Sequence, residues 1–244
     1  MATGDLTGRT VELLQALIRN ACVNDGTPES GQEVRNADLL QSYLEGSGLA
    51  IQRYEPTPGR TSLVARIEGT DPSAPSLCLM GHTDVVPVSP DGWSRDPFGG
   101  ELVDGEVWGR GAVDMLNLTA AQAVAFRHLA DQGFRPRGDL VYFAVADEES
   151  GSAHGARWMA DNAADAIRAD YVLTGSVNQA TIEAGTSAMA KQMLAKAGMA
   201  DVAQGPAPDM FEIGAHVQVL GRGTMYAQRA GRLYSLYKTY PSLE

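Results

Sequence analysis

Cysteine is scarce: Cys22 and Cys78 are the two in 244 residues. They lie far apart and in no metal-type spacing, which excludes a structural zinc knuckle and leaves no disulfide framework. No apolar run approaches the ~20 residues needed to cross a bilayer. The start, Met1-Ala2-Thr3-Gly4-Asp5-Leu6, lacks the basic opening and apolar stretch of a signal peptide. Positive charge is also short: 19 Lys and Arg against 30 Asp and Glu give a formal net charge of −11, with a pI near 4.8. Such a field repels phosphate backbones and anionic lipid, so neither nucleic acid nor a membrane is an expected partner. With 44% hydrophobic and 20% charged residues, the composition is globular rather than disordered. The expectation is a soluble, cytoplasmic protein with one sizeable domain, alone or with an appendage.

What is present alternates between helical and strand-like patterns. Residues 10–21 space their apolar side chains as an amphipathic helix does, and residues 34–45 do so again before Gly46 and Gly48. Strand-like runs follow at 51–54 and 62–67. The continuous apolar run 76–80 ends at Gly81, as a buried central strand would. Asp104-Gly105 between apolar stretches signals a hairpin over 101–108. Residues 114–132 read as a long helix capped by Gly133, 140–146 as a second buried strand, 155–162 as a helix and 171–174 as a short strand. The alternation predicts an α/β fold: a mostly parallel central sheet with helices on both faces. In such sheets ligands gather at the carboxyl ends of strands, where the polar clusters of this sequence fall.

Past Thr174 the texture changes. Residues 179–200 and 204–240 offer no convincing buried strand except 217–220, and 224–240, rich in Arg, Lys and Tyr, read as an exposed or groove-packing helix. The expected division is a domain over 1–174 and a mainly helical tail over 175–244.

Three polar clusters carry chemistry. Gly81-His82-Thr83-Asp84 follows a buried strand, and residues two apart in extended chain point the same way, so His82 and Asp84 face one site. A metal-bound histidine commonly gives its other ring N–H to a carboxylate, the role open to Asp84. Trp108-Gly109-Arg110-Gly111-Ala112-Val113-Asp114 is the second: glycines let the backbone pass close to a site, and Asp114 opens a helix, as a metal bridge or as a simple N-cap. The third is Asp147-Glu148-Glu149, three acids at the end of an apolar strand, whose mutual repulsion costs free energy unless cations or donors offset it. One acid could hold metal while its neighbour acts as general base; the alternative is a charged loop.

Taken in order, Gly81-His82-Thr83-Asp84-Val85-Val86-Pro87, Trp108-Gly109-Arg110-Gly111-Ala112-Val113-Asp114-Met115 and Ala146-Asp147-Glu148-Glu149-Ser150-Gly151 resemble the co-catalytic zinc amidohydrolases and exopeptidases. That family includes acetylornithine deacetylase, succinyl-diaminopimelate desuccinylase, aminoacylases and glutamate carboxypeptidases. The linker Gly92-Trp93-Ser94-Arg95-Asp96-Pro97-Phe98 is similar too, and the resemblance runs to about Thr174. It implies a two-ion zinc site, with cobalt or manganese as substitutes, in which His82 and Glu149 bind metal and Asp114 bridges. Asp84 would orient His82. Glu148 would be the general base for a metal-activated water attacking an amide carbonyl. Implied substrates are N-acyl amino acids or small peptides with a free carboxylate; oligomeric state stays open.

The sequence departs from that pattern after the last strand. The family places a further acid there and this chain reads Thr174-Gly175-Ser176-Val177. A second late histidine is also expected, and His216 is the one late histidine present. A catalytic domain truncated in this way is expected to bind metal weakly and turn over slowly, if at all. From about residue 170, Leu173-Thr174-Gly175-Ser176-Val177-Asn178-Gln179-Ala180, Glu183-Ala184-Gly185-Thr186-Ser187, Pro208-Asp209-Met210-Phe211-Glu212 and Val217-Gln218-Val219-Leu220-Gly221-Arg222-Gly223-Thr224-Met225 resemble a different family. It is that of flavin-dependent, nitronate-monooxygenase-like enoyl reductases of polyketide and polyunsaturated fatty acid synthases. Most of that barrel has no counterpart here, so no flavin binding is carried over. The alternative to a hydrolase is thus a non-catalytic metal-binding or interaction protein, formed by fusing the two fragments.

Overall fold

A computed structural model describes residues 5–173, 192, 202–206, 216–220 and 225–240. The Thr174-Gly175-Ser176 turn, most of the 179–200 segment and the Pro208-Glu212 motif lie outside the described residues. The chain divides into two compact units, Met1–Gly175 and Ser176–Glu244.

The first unit opens with α1 (Leu6–Arg19), in which Asp5 caps by accepting the Gly8 N–H at 2.8 Å. Its buried residues Leu13, Leu14, Leu17 and Ile18 form one stripe at helical spacing. α2 (Val34–Leu44) follows, then β1 (Ala50–Thr57) and β2 (Arg60–Ile67). After these come β3 (Leu77–His82), the short hairpin β4 (Glu101–Val103) and β5 (Glu106–Trp108), and α3 (Leu116–Asp131). β6 (Leu140–Val145), α4 (Ala156–Asn162), α5 (Ala164–Ile167) and β7 (Tyr171–Leu173) complete it. Asp104 and Gly105 both have positive φ, 53° and 87°, as a tight hairpin turn requires.

The central sheet has the order β1-β2-β6-β3-β7. It is mixed. β3 runs parallel to both β6 and β7, whereas β1–β2 and β2–β6 are antiparallel. The parallel character anticipated from the alternation is therefore confined to β6, β3 and β7. β1 and β2 are joined by Pro58-Gly59, a two-residue connection that leaves room for an antiparallel return and no crossover helix.

Helices do cover both faces. Leu63, Ala65, Tyr142 and Ala144 pack with α1, α2 and α3 in one core, while Val64, Val141, Phe143 and Val145 pack with Met159 and the α4–α5 segment in the other. Alternate residues of β2 and β6 thus serve opposite cores, which is why β6 reads as an unbroken apolar run. The ladder between β3 and β6 brings His82 level with Val145, so the two polar segments that follow these strands emerge side by side.

In the second unit β8 (Val202–Pro206) pairs antiparallel with β9 (His216–Leu220), and helix α6 spans Tyr226–Thr239. β9 and α6 fall where the sequence places a strand and a helix. β8 does not: Gln204 and Gly205 interrupt its apolar character, and the pairing partner decides its conformation. α6 is largely exposed, with Ala230 its one buried residue among those described. Among the described residues no helix is long and apolar enough to cross a membrane.

Candidate metal centre

His82 is the last residue of β3 and is buried, 4% exposed. Its Nδ1 lies 2.9 Å from the Asp84 backbone carbonyl and 3.5 Å from Asp84 Oδ1. With Nδ1–H donated to that carbonyl, Nε2 is the nitrogen turned outward, where its N–H faces the Asp114 carboxylate and gives way when a cation takes its place. Nε2 is 3.1 Å from Asp114 Oδ1 and 3.9 Å from Glu148 Oε2. The fixing of His82 therefore comes first from the Asp84 main chain, with its carboxylate further away.

The Asp84 carboxylate has other partners. It is fully buried and accepts the Asn24 amide at 2.8 Å, the Glu149 N–H at 3.0 Å and the Glu148 N–H at 3.2 Å. Asp84 thus positions the backbone of the acid pair, a role the His-x-Asp spacing did not disclose. Burial alone would lift its pKa; hydrogen bonding and charge from His82, with the Asn24 and Glu149 donors, hold it below the usual carboxylate value.

Asp114 does not cap α3. The residue at the cap is Met115, with no side-chain cap bond, and the Asp114 side chain points to His82 while 82% exposed to solvent. The hydrogen bond from His82 is the main reason its carboxyl titrates low. Nor do the preceding glycines admit backbone to the site. Gly111 has φ +86°, and a Cβ there would meet Leu116 and Val85 side chains at 2.7 Å; one on Gly109 would meet Ile18 at 2.6 Å. They let the loop press onto the core, which then holds Asp114 at the centre's edge.

The run Asp147-Glu148-Glu149 splits. Asp147, in the left-handed region at φ 61°, turns into the protein and is 1% exposed. Glu148 and Glu149 face His82 and Asp114. Burial and the negative charges of Asp114, Asp84 and Glu148 push the Glu149 carboxyl up to about 8, even though His82 pulls the other way. Glu148 is raised too, by burial first and then by Asp84 and Asp114; its side chain remains 48% exposed, so this desolvation is partial. Burial opposes protonation of His82, but hydrogen bonds to Asp114 and Asp84 and the nearby carboxylates outweigh it and raise its pKa.

Among the described residues, His82, Asp114 and Glu149 form the one group whose possible ligand atoms all lie within 4.8 Å of one another. A half-exposed cluster of carboxylates with an outward-facing imidazole nitrogen, and with no Lys or Arg among the three, is a donor set matched to a divalent cation. His216 belongs to the second unit, where its ring meets Tyr234 edge-on at 6.2 Å. His154 bonds Thr57 Oγ1 through Nδ1 at 3.1 Å.

The model of peptidase family M20/M25/M40 matches residues 78–232. The chain belongs to this family. Succinyl-diaminopimelate desuccinylase of Maricaulis maris is 37% identical over 169 residues, 68% of this chain and 40% of that protein. The chain thus spans about 40% of the length of that M20 relative. The M20 metallo-carboxypeptidase Sso-CP2 of Sulfolobus solfataricus superposes with a TM-score of 0.56 at 23% identity, over 70% of this chain and 37% of that one, a likeness of fold. The C-terminal part is similar to polyketide biosynthesis protein ThaF of Burkholderia thailandensis, 51% identical over 82 residues, 34% of this chain and 7% of that protein. The M20 match and the ThaF match overlap beyond Gly175.

Proposed function

We propose that the first unit carries a metal-dependent amide hydrolase centre, in which His82 and Glu149 would each hold one of two divalent cations, zinc first among the candidates, and Asp114 would serve both. The observation that carries it is the convergence of these three side chains, drawn from three separate segments, within 4.8 Å. Asp114, open to solvent and next to His82, would be the ligand common to both ions. A bound cation would supply Lewis acidity and a lowered pKa for attacking water. Glu148, 3.9 Å from His82 and half-exposed, is the general base: its raised proton affinity suits a group that must take up a proton and pass it to a leaving amine. Asp84 keeps Glu148 and Glu149 aimed at the same point through their backbone N–H groups.

The substrate class follows from the M20 relatives, one of which is named for removing a succinyl group from diaminopimelate. N-acyl amino acids and small peptides fit that likeness. After Leu173 the sequence supplies Thr174-Gly175-Ser176 in place of an acid, and among the described residues each of two ions would have Asp114 and one further ligand. Zinc sites that catalyse normally hold about three protein ligands, and weak retention with slow turnover is the consequence. Hydrolysis of N-succinyl and N-acetyl amino acids, assayed with zinc, cobalt or manganese and with chelator, tests the reading. Metal-dependent release that disappears in Glu148→Gln supports it. Release unaffected by chelator overturns it.

A further inference from the structure

We infer that Arg60 is a positioning residue for the acid pair: through Asp147 it locks the turn that aims Glu148 and Glu149 at His82 and Asp114. Its purpose in chemistry rests on the metal-centre reading; its existence as a lock does not. Arg60 is the first residue of β2, and its side chain is 3% exposed. Nη2 donates to Asp147 Oδ1 at 2.6 Å, Nη1 to the Ser30 carbonyl at 3.2 Å, and Nε lies 2.9 Å from Glu33 Oε2. That last contact is one of distance and charge, since Nε–H is not aligned on the oxygen.

Asp147 is pinned from every side. Oδ1 also accepts Ser150 Oγ at 2.6 Å and the Asn24 amide at 3.1 Å, Oδ2 accepts the His154 N–H at 2.8 Å, and its own N–H goes to Glu33 Oε1 at 3.0 Å. A left-handed residue with a side chain costs roughly 1 kcal/mol and persists where its surroundings over-determine it. Here the conformation turns residue 147 inward, so that the next two N–H groups reach Asp84 and their side chains turn outward. Asn24 ties the halves together, donating to both Asp84 and Asp147.

Three ions buried to this degree are a poor way to gain stability, because desolvation consumes most of the Coulomb attraction; apolar residues of similar volume would serve a core as well or better. What the arrangement provides is direction. A rigid guanidinium fork fixes where Asp147 sits, and Asp147 fixes the two residues after it.

Amide hydrogen exchange of the full chain, metal-free, tests this with Arg60→Met, Arg60→Lys and the double variant Arg60→Met/Glu33→Gln. The double variant removes one buried charge of each sign and guards against unfolding in the single one. The lock predicts at least tenfold faster exchange at the Glu148 and Glu149 amides in the folded variants, an intermediate value for Arg60→Lys, and unchanged exchange in the α1 and α3 interiors. Unchanged exchange at Glu148 and Glu149 overturns it. Uniform acceleration throughout the unit, or failure of both Met variants to fold, also overturns it, making Arg60 a general core support. A parallel zinc titration separates the two claims: no zinc binding by the wild type, together with the local exchange change in the variants, would refute the metal reading and keep the lock.

Discussion

Asp84 Oδ2 accepts the backbone N–H of Glu149 across 3.0 Å, linking the segment after β3 to the segment after β6. The same carboxylate takes the Glu148 N–H at 3.2 Å, so one buried acid organises both members of the acid pair. Asp84→Asn leaves a single acceptor oxygen for these donors. Zinc affinity is expected to fall about 10- to 100-fold, the cost usual for losing an outer partner of a metal site. Competition titration against a zinc indicator reads it, and affinity equal to wild type would remove Asp84 from the account.

Glu148→Gln is expected to separate binding from chemistry. The substitution keeps side-chain size and leaves His82, Asp114 and Glu149 in place, so zinc binding should persist. Whatever hydrolysis the wild type shows should drop by about 100-fold or more, the scale of a lost general base. An unchanged rate would mean that Glu148 takes no part in proton transfer.

Folding stability should carry a pH signature from Glu33. Burial, with the charge of Asp84 added and Arg60 opposing, pushes its carboxyl up to about 7 from the ordinary 4.5. The folded state then holds a proton that the unfolded state has released between these values. Stability from this group therefore falls as pH rises from about 4.5 to about 7, by at most ~1.4 kcal/mol per pH unit, and is flat above. Asp147 and Asp84, both lowered, act oppositely and lose their contribution below the normal aspartate range. Denaturant unfolding of metal-free wild type and Glu33→Gln at several pH values isolates the Glu33 share. A wild-type curve parallel to the variant's across this window would contradict it.

Phe126 is fully buried in α3, with its ring centroid 5.9 Å from that of Tyr142 in β6. Phe126→Ala should cost about 3–5 kcal/mol of unfolding free energy, through lost burial and the cavity left between helix and sheet. A loss under 1 kcal/mol would show that this face of the sheet is not the tightly packed layer described.

Much of this was legible before any coordinates. The spacing of Leu13, Leu14, Leu17 and Ile18 announces α1, and Asp104-Gly105 announces its hairpin, because both signals are local. Strand direction is not local: nothing in residues 62–67 says that β2 runs against β6, although Pro58-Gly59 is a turn signal that marks the β1–β2 return. His82, Asp114 and Glu149 could be named as a group from the family resemblance that their motifs carry in order. The divided fates of Asp147 and its two neighbours could not, because three consecutive acids look alike until a left-handed residue turns the first one inward. Arg60, Glu33 and Asn24 escaped notice for a related reason. Each is an ordinary polar residue in sequence, and only the folded chain buries them, Asn24 against Asp84 and Asp147 and Glu33 against Arg60. The β8 strand exists by virtue of β9, a partner its own residues do not specify.

The central claim is that His82, Asp114 and Glu149 form one metal centre. Zinc stoichiometry and affinity of the purified chain, with Asp114→Ala and Glu149→Ala alongside, test it most directly. Saturable zinc binding, weaker than that of a complete three-ligand site and lost in both variants, is the predicted result. No binding by the wild type, or binding that both variants retain, would contradict it.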